Sequence, residues 1–258
     1  MAHKITFALQ KGGVGKTTST AATAEILAAA GYRVLVVDFD SQGNATKILT
    51  GNSIYQYSGQ TIMEAIQEGN VAPYILEVKE NLHLLPAEDR LAAFSRYIYT
   101  AGINNPYATL KRLLGPIDDQ YDYIFIDVGP ELGDKAINAI VCADDIIIPV
   151  DCGELAMDAM VRFIEFVDAT RDEGHTSAKI TGIVLTMRDG RNLKYERDIS
   201  NGIRDAYGDL VFKTEIRQRV KLQEMAAVGV NIDEPAMEDY FSLTEEIIER
   251  TQGGSHHE

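Results

Sequence analysis

Eight residues near the start of the chain, Gln10-Lys11-Gly12-Gly13-Val14-Gly15-Lys16-Thr17, gather three glycines, two lysines and a hydroxyl into one short loop. That mixture suits phosphate binding. Glycines let the main chain adopt φ > 0 and approach an oxyanion without a Cβ in the way. Main-chain N–H groups then cradle the phosphate oxygens, a lysine reaches the terminal phosphates and a Ser or Thr hydroxyl holds Mg²⁺. Gly15-Lys16-Thr17 fits the motif G-x-x-x-x-G-K-[ST], whereas Gln10 stands where its first glycine belongs. The candidate nucleotide contacts are therefore Lys11, Gly12, Gly13, Val14, Gly15, Lys16, Thr17 and Thr18, with Thr17 also a metal ligand. A dinucleotide fold is disfavoured, because Gly13-x-Gly15 is followed by Lys16-Thr17-Thr18 with no third glycine in register.

Lys11 is the unusual member. With Lys16 already serving the terminal phosphates in cis, a second rigidly held cation is most useful to a phosphate presented by a partner. The alternative is a solvated loop lysine.

These residues need a strand before them and a helix after them. Lys4 to Leu9 is an apolar run that predicts a buried strand, and Thr17 to Ala30 predicts a helix ended by Gly31. Strand, loop and helix N-terminus together make an anion site. Arg33-Val34-Leu35-Val36-Val37-Asp38 and Tyr123-Ile124-Phe125-Ile126-Asp127 are two more apolar strands, each ending in an acid, where ligands gather in open α/β sheets. Further strands are predicted at Asp145 to Val150 and Ile180 to Leu185, with helical stretches near 133–142 and 154–171. The pattern predicts one α/β domain over 1–252, a mostly parallel twisted sheet covered by helices on both faces, of the P-loop NTPase type. Residues 253–258 read as a flexible tail.

Composition narrows the class. At 258 residues and 45% hydrophobic content, the chain can build a substantial core. The start runs straight into the first strand, so no signal peptide is expected, and nothing approaches the ~18 apolar residues of a spanning helix. A cytoplasmic protein is expected. Cys142 and Cys152 are the only cysteines and read as reduced structural thiols. A net charge of −15 argues against a protein coated in nucleic acid, although a local basic face can survive inside an acidic total.

The segment K-G-G-V-G-K-T resembles the deviant Walker loop of the ParA/MinD family of P-loop ATPases. In that family the lysine matching Lys11 crosses a dimer interface to the nucleotide of the other subunit. Asp38-Phe39-Asp40-Ser41-Gln42-Gly43-Asn44-Ala45-Thr46 resembles the family's D-x-D-P-Q-G-N-A-T switch, with Ser41 replacing proline. The match implies that Asp40 orients or activates the attacking water and that Asp38 sits near Mg²⁺. From the residues alone, an Asx turn or a helix cap is the alternative for both. Asp127 is the acid expected to hold Mg²⁺ through water, the alternative being a plain strand-ending turn. Asp127-Val128-Gly129-Pro130 resembles the family's D-T-P-P with only its second proline kept, and Gly129 is expected to loosen that switch. The catalytic set is thus Asp40, Lys11 and Lys16; the metal set is Thr17, Asp38 and Asp127.

Thr186-Met187-Arg188-Asp189 stands where a GTPase would carry N-K-x-D and lacks the lysine, so the resemblance favours ATP. Ile216-Arg217-Gln218-Arg219-Val220-Lys221-Leu222-Gln223-Glu224 resembles I-P-R-N-V-R-L-x-E, which packs beside the adenine, with Arg217 replacing proline. Met187 and Arg217 are the implied base contacts. Partitioning members of the family bind DNA nonspecifically through basic residues in these two regions. That implies Arg191, Lys194, Arg219 and Lys221, although Asp189, Glu196 and Asp198 are interleaved and an ordinary solvated face is the alternative. The resemblance further implies a weak Mg-dependent ATPase, an ATP-dependent homodimer and a centromere-binding ParB-type partner. A non-DNA protein cargo, or a scaffold with negligible turnover, is the rival. The chain starts too close to Gln10 for an N-terminal operator-binding domain, and its acidic C-terminal stretch does not suit anionic lipid.

Overall fold

A computed structural model describes residues 1–153, 155–188, 193–219, 222, 224–225 and 229–252. The side chains of Met187, Arg188 and Leu193 lie outside this description. Eight strands form one sheet in the order β3-β4-β2-β5-β1-β6-β7-β8. Their bounds are β1 His3–Phe7, β2 Val34–Asp38, β3 Leu76–Lys79, β4 Leu82–Leu85, β5 Tyr123–Asp127, β6 Asp145–Asp151, β7 Lys179–Arg188 and β8 Val211–Arg217. The pair β3 and β4 is antiparallel and all other neighbours run parallel.

The strands read as unbroken apolar runs because both faces are covered. Alternate residues serve opposite cores. Leu35, Val37, Ile124 and Ile126 join one cluster with Ile62, Ala139 and Phe163 of the helices α3 (Ile62–Glu68), α6 (Asp134–Cys142) and α7 (Ala156–Asp172). Val34, Val36, Tyr123 and Phe125 join the other, with Leu27 of α1 (Lys16–Ala29) and Leu243 of the C-terminal helix α9 (Glu238–Gln252). Gly31, at φ +93°, ends α1 as expected. The remaining described α-helices are α2 (Asn44–Thr50), α4 (Phe94–Thr100), α5 (Thr109–Leu114) and α8 (Leu193–Tyr207). Cys142 and Cys152 are both buried and free. Burial pushes the Cys142 thiol up to about 12, which keeps it protonated and inert.

Register positions the site. Phe7 and Asp38 both pair with Asp127, so β1, β2 and β5 end level at their C-termini. The loop after β1, the loop after β2 and the turn after β5 consequently emerge side by side.

No described helix is long and apolar enough to cross a membrane. The acidic C-terminal segment has a structural use instead: Tyr240, Leu243 and Ile247 are buried against α1, and the Tyr240 hydroxyl lies 3.5 Å from Ser19 Oγ. Its acids also serve the fold, since Glu246 accepts hydrogen bonds from the main-chain N–H groups of Lys213 and Thr214 at the start of β8, at 2.9 and 2.8 Å. Ile247→Ala should cost about 2–5 kcal/mol in urea unfolding. A loss within ~0.5 kcal/mol, the range of a surface substitution, would show that α9 is not part of the core.

Candidate nucleotide site

The loop between β1 and α1 curls around a cavity of about 430 Å³ lined by Gly12, Gly13, Gly15, Lys16, Thr17 and Thr18 on the loop side. Gly13 and Gly15 have φ of +77° and +85°, conformations that a side chain would strain. Gly12 does not, so positive φ is needed at two of the three expected glycines. Gly15 occupies the N-cap of α1 without a side-chain cap, which leaves the first N–H groups of that helix to serve an anion. Val14 is buried, and its carbonyl accepts a 2.9 Å hydrogen bond from the Thr186 hydroxyl of β7, bracing the loop from behind.

The two lysines point to different places. Lys16 is largely buried at the cavity and donates to the carbonyl of Lys11 at 2.7 Å. Burial lowers its pKa, opposed by the nearby charges of Asp127 and Asp40. Lys11 is not among the residues that line the cavity; its ammonium pairs with both oxygens of Asp151, at 2.6 and 2.8 Å, beyond the end of the neighbouring pair β1 and β6. Both partners of this ion pair remain about a quarter exposed. Asp151 escaped the sequence reading, because an acid at a strand end is common and only the fold brings it to Lys11.

Three acids lie close to one another at these strand ends, and of the three Asp40 lines the cavity. Asp38 and Asp127 are fully buried on adjacent strands. Asp38 accepts from Thr46 N and Thr46 Oγ1 at 2.8 and 2.7 Å and from Asp40 N at 3.2 Å, so its carboxylate holds the loop that follows it. These bonds tie Asp38 to Thr46 in the first turn of α2, whose N-cap position is Gly43. Asp40 lines the cavity half-buried, its Oδ1 accepting from Gln42 N at 3.1 Å in an Asx turn. A Cβ on Gly129 would meet the Asp40 carboxylate at 3.1 Å, so glycine at that position makes room for the acid. This close approach is a physical reason for Gly129 distinct from the looseness expected of it.

Thr17 Oγ1 donates to Asp127 Oδ2 at 2.9 Å, while Asp127 Oδ1 is buried with no hydrogen-bond partner. A hard cation suits that oxygen pair. Among the described residues there is no cluster of three or more His, Cys, Asp or Glu side chains able to hold a metal. Mg²⁺ commonly takes one or two protein oxygens and completes its shell with phosphates and water, so the donor set fits. Burial pushes Asp38 up to about 6, with hydrogen bonds opposing the shift. Asp127 is raised well above the ordinary value, by burial and then by the charge of Asp38.

The sequence-predicted base contacts and cations fare unevenly. Arg217 ends β8 and grips Asp239 of α9: its main-chain N–H and Nε donate at 3.1 Å, and Nη2 joins the same carboxylate. Despite burial, Arg217 holds Asp239 below the usual carboxylate range. Arg219 sits 3.8 Å from Asp239 and 3.9 Å from Glu238, and donates to the Pro235 carbonyl. Two positions of the second basic cluster are thereby paired with acids of the same chain. Lys194 is exposed on α8. Arg191 and Lys221 lie outside the described residues, as do Asp189, the Met187 side chain and the tail 253–258.

A larger depression of about 1140 Å³ lies at the opposite ends of β6, β7 and β8. Its Arg250 donates to the carbonyls of Thr181, Leu210 and Val211, and its Arg204 to that of Phe212, so these cations are spent on the fold.

A family model described as an AAA domain matches residues 2–180. The chain is 30% identical over 259 residues to the chromosome-partitioning ATPase Soj of Treponema pallidum, covering 97% of this chain and 98% of that protein. A solved structure of a putative plasmid partition protein from Borrelia burgdorferi bound to AMPPNP superposes at a TM-score of 0.81 with 25% identity, covering 96% of this chain and 99% of that one. The structure of cobyrinic acid a,c-diamide synthase from Mycobacterium smegmatis with a bound ATP analogue and magnesium superposes at 0.86 with 26% identity, covering 98% and 97%.

The buried acid pair makes stability depend on pH. Asp38 titrates at about 6 in the folded chain against an ordinary 3.8, so between those limits the folded state holds the extra proton. Stability of the nucleotide-free protein should therefore fall as pH rises from about 4 through the range in which Asp38 and then Asp127 ionise in the folded chain, and the cost should persist above it. Asp127→Asn removes the like charge beside Asp38. Its melting temperature at pH 7.5 without nucleotide should rise by about 2–4 °C, corresponding to ~1 kcal/mol in a chain of this size, and the acid dependence should flatten. An unchanged or lower melting temperature would show that the pair is not repulsive.

Proposed function

Since the chain belongs to the ParA/MinD family of P-loop ATPases, we propose that it is an ATP-driven DNA-partitioning protein, with weak Mg²⁺-dependent turnover. ATP binds at Gly12 to Thr18, two subunits close around a pair of nucleotides, and the dimer holds DNA nonspecifically. A centromere-binding ParB-type partner then stimulates hydrolysis and releases it. The proposed setting is the cytoplasm, with the ATP form on the nucleoid. The observation that carries this reading is the direction of Lys11, whose ammonium turns away from the cavity of its own loop toward Asp151. A cation stationed outside its own phosphate site suits the phosphate of a second subunit. Exchanging Asp151 for that phosphate replaces one charge-assisted hydrogen bond with another.

Each residue has a distinct duty. Lys16 neutralises the terminal phosphates from within, Thr17 and Asp127 hold Mg²⁺, and Asp40 orients water. When bound, Mg²⁺ would neutralise charge on the phosphates. Positioning and electrostatics dominate phosphoryl transfer, so a carboxylate fixed by an Asx turn is suited to the water-orienting role.

Partition relatives support a DNA cargo. The commitment of Arg217 and Arg219 to Asp239 and Glu238, with a net charge of −15, favours the second reading, an ATP switch that positions a protein cargo. DNA binding measured across a salt series with ATP, ADP and no nucleotide separates the two. The partition reading expects ATP-dependent binding whose affinity falls steeply with salt, by roughly 0.9 log units per log unit of salt for each phosphate neutralised. Charge reversal at Arg191 and Lys221, then at Lys194 and Arg219, should flatten that slope. ATP-independent or absent binding would favour the protein cargo.

Variants divide the cycle. Lys16→Ala should abolish tight nucleotide binding. Lys11→Ala should bind ATP yet stay monomeric by light scattering, and ATP-driven dimers in that variant would remove Lys11 from its role. Asp40→Ala should dimerise with ATP and hold it; turnover at the wild-type rate would reject Asp40 as the water-orienting group.

A further inference from the structure

A third lysine reaches the nucleotide cavity from the switch side. Asn44, Lys47 and Ile48, spaced i, i+3 and i+4, share one face of α2, and all three line the cavity with Gly13, Gly15 and Lys16. Lys47 is half-buried, and its ammonium donates a 3.0 Å hydrogen bond to the Gln42 carbonyl. No carboxylate of the described residues lies within ion-pair distance of it. In contrast, Lys11 has Asp151, and Lys4 has Asp118 at 2.8 Å.

The attachment of Lys47 is asymmetric. Its main chain is anchored through the adjacent Thr46, which donates two hydrogen bonds to Asp38 and whose hydroxyl accepts from Ala87 N at 3.0 Å. Its head is held by one neutral acceptor at the end of a flexible stem. An ammonium in that state gains by exchanging a carbonyl for an anion, since charge-assisted hydrogen bonds are roughly twice as strong as neutral ones. The acceptor it would leave belongs to Gln42, whose N–H donates to Asp40 Oδ1 at 3.1 Å. One residue therefore connects the lysine to the candidate water-orienting acid.

We propose that Lys47 is a positioning residue that reads the terminal phosphate: when a nucleoside triphosphate fills the cavity, its ammonium passes from the Gln42 carbonyl to the phosphate and resets the turn that holds Asp40. This inference rests on the ATP reading above and adds a state-sensing cation to it. Lys16 binds phosphate from the loop whether or not a terminal group is present; Lys47 distinguishes triphosphate from diphosphate.

The test is equilibrium binding of a fluorescent non-hydrolysable ATP analogue and of fluorescent ADP, both with Mg²⁺, to wild type, Lys47→Met and Lys47→Arg. Thermal melting without nucleotide checks that each variant is folded. Lys47→Met should weaken the triphosphate by about tenfold, or ~1.4 kcal/mol, and change ADP by less than about twofold; Lys47→Arg should keep the discrimination. Hydrogen exchange at residues 40–43 should slow on adding the analogue to wild type and not to Lys47→Met. Equal weakening of both nucleotides, or an unchanged triphosphate affinity, would overturn the assignment. Wild-type protein that binds neither nucleotide would overturn the ATP reading itself, which makes the two failures distinguishable.

Discussion

Two carboxylates are buried next to each other at the paired ends of β2 and β5, and the rest of the site is arranged around that cost. Asp38 is compensated by three donors from the loop it precedes, so its burial fixes the start of α2 and the turn that carries Asp40. Asp127 receives one hydroxyl, and its second oxygen has no partner. A buried oxygen without a donor is expensive. A divalent cation beside Thr17 would answer that cost.

The same economy governs the lysines. Each of the three near the phosphates rests on a cis acceptor: Lys16 on the Lys11 carbonyl, Lys11 on Asp151 and Lys47 on the Gln42 carbonyl. The loop is therefore braced in its phosphate-ready shape, with the left-handed glycines at 13 and 15 supplying the curvature and Thr186 supporting it from β7. Cations already paired to neutral carbonyls have the most to gain from an anion, whereas Lys11, paired to a carboxylate, has the least.

Charge elsewhere is spent on architecture. Asp239 collects Arg217 and Arg219 and fastens the end of β8 to α9, and Glu246 seals the start of the same strand. The C-terminal helix is thus a clamp on the last strand, its apolar side turned to α1 and its acids employed in main-chain hydrogen bonds. An acidic segment that looked like a poor membrane ligand is a structural brace.

Much of this was legible in the residues. Apolar runs foretold β1, β2, β5, β6 and β7, and the glycine-lysine cluster foretold the phosphate loop, because burial on both faces and close approach to an oxyanion each demand a local composition. The edge pair β3 and β4 and the short helices α2 to α5 were not foretold; β3 is half exposed, and helices of six or seven residues leave too little periodicity to recognise. Asp151 and Lys47 carry no signature, since an acid at a strand end and a lysine on a helix are commonplace until the sheet order brings one to Lys11 and the Asp38 anchor sets the other beside the cavity. Arg217 and Arg219 showed their charge but not their partner. Sequence alone determined which groups could bind phosphate, because that capacity lies in residue types a few positions apart. Tertiary structure decided which cations face the cavity and which are neutralised, because the partners of a charge lie a hundred residues away along the chain and only a few ångströms away in space.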